Sequence, residues 1–308
     1  MTTEKIFDEA LKNILSEDEI LKDEPMKHHT TFRVGGPAEY YLRPKKEQVA
    51  EVLRLCFTYQ KEYLIIGNGS NLLVSDKGIS GVVIEIGKQM DEITVDGTTI
   101  YAQAGAMLSK TAHAALEAGL TGMEFAAGIP GCVGGAVVMN AGAYGGEMKD
   151  ILKSVTVLTA DGQEKELTPG ELDMSYRHSS ITEEHYMVLG VTIALEAGSQ
   201  EQIRAKMEEL KEKRVEKQPL EYPSAGSTFK RPEGYFAGKL IQDSGMQGYR
   251  VGDAQVSEKH CGFVINRGNA TAAEVMQLMK DVADRVEEKF GVRLEPEVRR
   301  IGAVSYTH

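Results

Sequence analysis

The chain has 308 residues and a formal net charge of −11, with 42% hydrophobic and 26% charged residues. That length accommodates about two domains, each with its own core, and the acidic balance excludes the basic surface that non-specific nucleic-acid binding requires. Cys56, Cys132 and Cys261 are too scattered for a disulfide framework or zinc site, and the seven histidines form no metal-ligand motif.

No apolar run reaches the roughly 18 residues of a membrane span, and the N-terminus lacks the basic and apolar regions of a signal peptide. The expectation is a cytoplasmic, reduced, metal-free protein with no nucleic-acid, membrane or obligate protein partner.

Ile6, Phe7, Ala10, Leu11, Ile14 and Leu15 carry helical spacing and predict a short amphipathic helix. His28 and His29 follow. On an extended segment their side chains point to opposite faces, so no metal site is predicted. A Gly35-Gly36-Pro37 turn leads into a strand over 38–42. Val49, Val52, Leu53, Cys56 and Tyr59 predict a helix over 45–60. Tyr63–Ile66 reads as a buried strand that runs straight into Gly67-Asn68-Gly69-Ser70-Asn71. Successive amides at a strand end can wrap a pyrophosphate, although a tight turn without a ligand explains the loop equally well. Leu72 occupies the third glycine position of a Rossmann fingerprint, and no GxxxxGK[ST] occurs, so those two nucleotide motifs are absent.

Strands are predicted at 82–86 and across 93–102, with a turn at Asp96-Gly97, and a helix over 107–118 stopped by Gly119. The stretch around which the chain is organised is Gly122–Glu147. Eight of its 26 residues are glycine, and its only charged residues are Glu124 and Glu147. So many glycines oppose an ordinary helix, and Phe125, Ile129, Val133, Val137, Val138 and Met139 oppose a surface linker. Two readings fit: a tightly packed core turn, or a dinucleotide laid against bare main chain with N–H groups facing an anion.

Strands at 154–160 and 186–196 bracket Ser175-Tyr176-Arg177-His178-Ser179-Ser180. A charged helix spans 199–217. From Arg204 to Lys239 the sequence carries nine Lys/Arg against six Asp/Glu, which suits either a polyanionic small molecule or a solvated helix face. The loop Tyr222–Pro232, a helix over 236–242, a strand at 262–266, a long helix over 271–289 and the segment Leu294–Gly302 complete the chain. Helices and strands mix without strict βα alternation, so the class is α+β.

TTFRVGGPAEY, GNGSNLLV, EFAAGIPGCVGGAVVMNAGAYGGE, SYRHS, PSAGSTFKRP and EPEVRRIG occur in that order over 28–302. Together they resemble the UDP-N-acetylenolpyruvylglucosamine reductase (UDP-N-acetylmuramate dehydrogenase) family, in its shorter type II form. The resemblance implies an FAD-binding fold of the vanillyl-alcohol-oxidase (PCMH) type made of two subdomains, 1–88 and 89–217. A smaller α+β substrate-binding domain, 218–293, would follow, with 294–308 returning to the first subdomain.

It implies FAD held by Gly67, Asn68, Gly69, Ser70 and Asn71 and by Gly128, Ile129, Pro130, Gly131, Gly134, Gly135, Ala136, Asn140, Ala141, Gly142 and Ala143, with Arg214 as a cationic flavin contact. Tyr144, Lys217, Lys230, Arg231 and His260 would face the nucleotide sugar, UDP-N-acetylglucosamine enolpyruvate. NADPH would donate the hydride. Arg177 would hold the substrate carboxylate, Ser227 would donate the proton, with Lys230 or Lys239 as a candidate neighbour, and Glu297 would stabilise the enol or relay a proton. Competing readings are an oxygen-driven oxidase on the same fold, a flavin-binding sensor without catalysis, and a flavin-free nucleotide-sugar binder.

Overall fold

The computed structural model describes residues 3–302. The chain divides into two compact units, one of residues up to Leu21, Tyr41–Asn68 and Val82–Arg214, the other of Lys22–Tyr40, Gly69–Gly81 and the chain from Val215 on.

In the first unit, helices α1 (Thr3–Lys12) and α2 (Lys46–Thr58) pack together. Phe7 and Leu11 on α1 and Val49, Val52 and Cys56 on α2 are fully buried, as their helical spacing requires. Tyr63–Ile66 lies parallel beside Val82–Glu85. The centre of this unit is a five-stranded antiparallel sheet in the order Glu164–Leu167, Leu152–Leu158, Met187–Ala194, Thr99–Gln103, Ile93–Asp96. The strand Met187–Ala194 is buried along nearly its whole length, which its continuous apolar sequence anticipates. Helix α3 (Leu108–Glu117) is closed by Gly119 at φ +68°, a left-handed residue that satisfies the helix end.

The glycine-rich stretch departs from expectation in one respect. Val133–Val138 is a six-residue helix, α4, packed on Met187–Ala194. Gly134 and Gly135 are tolerated there because tertiary packing outweighs propensity over so short a helix. A Cβ on Gly134 would sit 2.9 Å from the Ala104 Cβ, so glycine is what lets α4 seat. The sequence also gave no warning of the edge strand Glu164–Leu167, whose polar residues carry no alternation. Helix α5 (Gln200–Lys217) buries only Ile203, Met207 and Leu210.

In the second unit, Ser224–Ser227, Phe263–Asn266, Ala254–Val256 and Arg250–Val251 form an antiparallel sheet in that order. Helices α6 (Ala237–Asp243) and α7 (Ala272–Phe290) pack together, and α7 covers the sheet with Val275, Leu278, Met279, Val282 and Val286. Thr271 caps α7 in a capping box with Glu274. Arg299–Ile301 pairs parallel with Leu72–Val74. Residues 303–308 of the C-terminal segment lie outside the described residues.

The histidine pair is not on an extended segment. Met26–His28 is a 3-10 turn, which brings His28 Nδ1 within 3.7 Å and His29 Nε2 within 2.8 Å of Glu24 Oε1.

Gly67 approaches Cys132 so closely that an added Cβ would lie 2.1 Å from Sγ. Gly67→Ala is therefore expected to cost about 1–3 kcal/mol of stability through overpacking, read by denaturant unfolding. The loss should shrink when Cys132→Ala is added. An alanine variant as stable as wild type would show that the two loops separate freely.

Candidate active site

Within the first unit the strand Tyr63–Ile66 delivers Gly67 and Asn68. Asn68 Nδ2 donates to Pro130 O at 2.6 Å, tying this loop to the glycine-rich stretch. Beneath them lies Cys132, the residue before α4. Burial pushes its thiol pKa up, against the backbone amides of Gly135, Asn68 and Gly134, which point at the sulfur. Above it, Asn68, Gly128, Pro130 and Gly135 are exposed, while Ile129, Gly131, Ala141, Gly142 and Ala143 are half-buried. The result is a floor of main chain.

Gly128 has a second neighbour. A Cβ there would come within 3.0 Å of Arg214 Nη1. Arg214 is half-buried and has no hydrogen-bond or ion-pair partner among the described residues. Burial pushes its pKa down, while Tyr144 acts in the opposite direction. A guanidinium withdrawn from water without a counter-charge is costly until an anion or an electron-rich ring meets it. The bare floor and the unpaired cation beside it fit a flavin dinucleotide.

Two turns next to this floor are strained. Gly142–Ala143 and Gly146–Glu147 pair as a two-residue hairpin whose tip is Tyr144 at φ +53° and Gly145 at φ +92°. Both positive values belong to a mirror-image turn that ordinarily takes Asn-Gly. Tyr144 is 47% exposed at the tip. Ser175 and His178 exchange backbone hydrogen bonds of 3.1 Å around Tyr176-Arg177, with Arg177 at φ +56°. Arg177 is half-buried, and its Nη1 and Nη2 both lie 3.4 Å from Gly142 O. Two non-glycine residues held left-handed on touching turns are the kind of strain that concentrates at binding sites.

Not every residue assigned to the cofactor faces outward. Gly134, Ala136 and Asn140 are buried. Gly134 N donates to Ala104 O at 2.7 Å, and Asn140 uses both ends of its carboxamide inside the protein. These three are turned into the protein and offer the floor no surface.

In the second unit, Gly69 is buried at φ +58°, where a Cβ would lie 2.0 Å from His29 O, so its glycine is required by protein packing. Ser70 is half-buried. Asn71 Nδ2 donates to Glu297 O at 3.1 Å, and Asn71 O accepts from Arg299 N. Ser227 ends a strand bulged at Gly226, φ +76°. The next residue, Thr228, is fully buried and accepts from Glu297 N at 2.9 Å, so Ser227 and Glu297 are brought to adjoining segments. The half-buried Ser227 hydroxyl has no hydrogen-bond partner among the described residues.

Neither candidate cation is seen on Ser227: Lys230 Nζ lies 3.5 Å from Glu295, and Lys239 donates to Asp243 on its own helix. Arg231 is exposed and stacks 4.0 Å over Phe236. Lys217 is exposed at the end of α5, and its charge reaches His260. Arg177 thus belongs to the first unit, and Ser227 and Glu297 to the second. Sequence reasoning missed Thr228 and the supporting role of Asn140. Asparagine in a glycine-rich turn was the available signal, because it tolerates the left-handed region.

The profile of a family described as FAD binding domain matches residues 38–168. That of UDP-N-acetylenolpyruvoylglucosamine reductase, C-terminal domain, matches 218–301. A protein of Agathobacter rectalis named UDP-N-acetylenolpyruvoylglucosamine reductase is 59% identical over 295 residues, covering 92% of this chain and 94% of its own. A protein of the same name from Clostridium perfringens is 52% identical over 297 residues, covering 96% and 97%. The crystal structure of UDP-N-acetylenolpyruvylglucosamine reductase from Thermus caldophilus matches with a TM-score of 0.77 at 37% identity, over 90% of this chain and 97% of that one. The fold is accordingly α+β with an FAD-binding fold of the vanillyl-alcohol-oxidase (PCMH) type.

His260 is half-buried, its Nδ1 accepts from Gly262 N at 3.1 Å, and burial, followed by the Lys217 charge, pushes its pKa below the ordinary value. Folding favours its neutral form. The unfolded chain therefore binds more protons between the two pKa values, and stability present above about pH 6.5 is lost as pH falls towards the folded value. His260→Asn is expected to flatten the fall of Tm between pH 7 and 5, measured by thermal unfolding; an unchanged slope would place the acid sensitivity elsewhere.

Proposed function

Since the chain belongs to the UDP-N-acetylenolpyruvoylglucosamine reductase family and is an FAD-containing oxidoreductase, we propose that it reduces the enolpyruvyl ether of UDP-N-acetylglucosamine enolpyruvate to UDP-N-acetylmuramate with NADPH as hydride donor, a step of peptidoglycan-precursor synthesis in the cytoplasm. The observation that carries the reading is the strained turn that holds the Arg177 guanidinium against the Tyr144 hairpin. On this reading 1–88 and 89–217 hold the flavin, 218–293 serves the substrate, and the segment from Leu294 returns to the first part.

When bound, FAD supplies the relay of a hydride from NADPH to the substrate's vinyl carbon. It would lie along Gly67–Asn71 and the exposed main chain of Gly128–Ala143, with Arg214 meeting its electron-rich part. The remaining chemistry belongs to side chains. Hydride addition at the vinyl CH₂ leaves negative charge on the adjacent carbon and its carboxylate, so a fixed cation beside that carboxylate stabilises the transition state. Arg177 suits it: a planar guanidinium matches a carboxylate with two parallel N–H bonds and stays charged. Ser227 then donates its hydroxyl proton to that carbon. Its freedom from other hydrogen bonds leaves it available for this role. Glu297, on the segment bonded to Thr228, stabilises the enol form or returns the proton. Tyr144 and Lys217 meet the diphosphate of the nucleotide sugar, with Lys230, Arg231 and His260 around the substrate.

The test is an anaerobic stopped-flow experiment following flavin absorbance. NADPH alone should bleach the flavin, and the enolpyruvyl sugar should restore it; recovery in oxygen only would identify an oxidase, and indifference to both a binding protein. Ser227→Ala is expected to leave reduction by NADPH intact and slow reoxidation roughly 10²–10⁴-fold, the range of a lost acid. Equal loss in both half-reactions would remove Ser227 as proton donor. Arg177→Lys keeps the charge but not the fork, and should slow reoxidation alone. Wild-type reoxidation there would take Arg177 out of the site.

A further inference from the structure

We propose that Asn140 is a positioning residue that fixes the Arg177 turn and the Tyr144 hairpin in one geometry; the proposal rests on the role assigned above to Arg177. Asn140 is fully buried and itself left-handed, at φ +39°. Its carboxamide nitrogen donates to Glu147 Oε2 at 2.8 Å and to Ser175 O at 3.0 Å. Its oxygen accepts from Lys149 N at 3.0 Å. Glu147 and Lys149 are ion-paired at 2.7 Å. Glu147 is the residue on which the Tyr144 hairpin closes, and Ser175 is the residue on which the Arg177 turn opens. One side chain therefore grips both strained turns. Ser179, one residue beyond the Arg177 turn, is tied down as well, through its hydroxyl to Val138 O at 2.9 Å.

The residue type follows from the donors and acceptors. Glu147 Oε2 and Ser175 O are acceptors, and Lys149 N is a donor, so the position needs two N–H groups and one oxygen on a short side chain that tolerates positive φ. Only a primary amide supplies that set. Aspartate would face a carboxylate and a carbonyl with no proton to offer, and alanine would leave both acceptors without their donor. A left-handed arginine persists only where its surroundings over-determine it, and Ser175 O is where that hold enters the turn. Without it Arg177 relaxes and its guanidinium swings from the position that meets the carboxylate. None of these hydrogen bonds involves Arg214, Gly128 or Asn68, so that part of the floor assigned to the flavin stays.

The test uses flavin-loaded enzyme carrying Asn140→Ala, Asn140→Asp or the swap Asn140→Asp/Glu147→Gln, each with and without Arg177→Lys. Flavin affinity, Tm and both half-reactions are measured. Reoxidation by the enolpyruvyl sugar should slow roughly 10- to 100-fold for Asn140→Ala and more for Asn140→Asp, the loss of one or two buried hydrogen bonds. Reduction by NADPH and flavin affinity should stay within about threefold of wild type, since the floor at Asn68 and Gly128 and the Arg214 contact are intact. In the Arg177→Lys background the same substitutions should add less than about threefold, because the two residues act as a unit. The swap should recover part of the rate lost to Asn140→Asp, as the glutamine donates to the new carboxylate and restores the hairpin link but not the Ser175 link.

Loss of flavin, equal loss in both half-reactions, full additivity with Arg177→Lys, or no folded protein from both Asn140→Ala and the swap would each overturn the proposal by making Asn140 a cofactor contact or a framework residue. Wild-type reoxidation in Arg177→Lys alone would overturn the reading of Arg177 first, and this proposal with it.

Discussion

Main chain that comes closer to its neighbours than any Cβ permits is the constraint on which the first unit depends. Gly67 over Cys132, Gly134 over Ala104 and Gly146 over the Phe125 ring leave added-atom distances of 2.1, 2.9 and 2.6 Å. Each contact locks one loop of the floor: the strand exit, the seat of α4 and the base of the Tyr144 hairpin. Because these glycines are used against protein, the surface left facing outward is a different set, Asn68, Gly128, Pro130 and Gly135. Tight packing underneath is what holds that surface still enough to bind a large planar molecule without reorganising.

Strain and charge are the other half of the site. Asn140, Tyr144 and Arg177 all occupy left-handed backbone within the first unit. Such conformations cost about 1–3 kcal/mol each and survive only under surrounding restraint. Here the restraint is a connected set of hydrogen bonds running from Lys149 through Asn140 to Ser175 and Glu147. The cations Arg177 and Arg214 sit on opposite sides of the same logic. Arg177 is held by its turn and by Gly142 O, whereas Arg214 stands half-desolvated without a counter-charge among the described residues.

Much of this was legible in the residues, for identifiable reasons. Helical spacing in Val49, Val52 and Cys56 gave α2, because burial of one face is what makes that helix stable, and the long helix expected over 271–289 is α7. The strand expected over 186–196 is found at Met187–Ala194, buried along nearly its whole length. Six ordered motifs gave the family. What was not legible depended on contacts made at long range. Helix α4 contradicts the local preference of Gly134 and Gly135, and only the Ala104 contact explains it. The polar strand Glu164–Leu167 is called into the sheet by its neighbour Leu152–Leu158, not by its own composition. The shared glycine code was ambiguous in the same way: Gly69 and Gly134 answer to protein neighbours, and Gly128 to Arg214, yet in the sequence they are identical.

The parallel pairing of Arg299–Ile301 with Leu72–Val74, reinforced by Asn71 reaching Glu297 across 226 positions of sequence, has a consequence for how the protein comes into being. The second unit draws on three separated stretches, Lys22–Tyr40, Gly69–Gly81 and the chain from Val215 on. On the ribosome, Lys22–Tyr40 and Gly69–Gly81 emerge long before the residues that complete their packing, and contacts of such wide sequence separation close slowly. The nascent chain must therefore carry Phe32, Val34 and Leu73, all buried in the finished core of that unit, as exposed apolar surface until the stretch after Val215 has been made. Synthesis, rather than the folded state, is thus the stage at which this unit presents bare apolar surface.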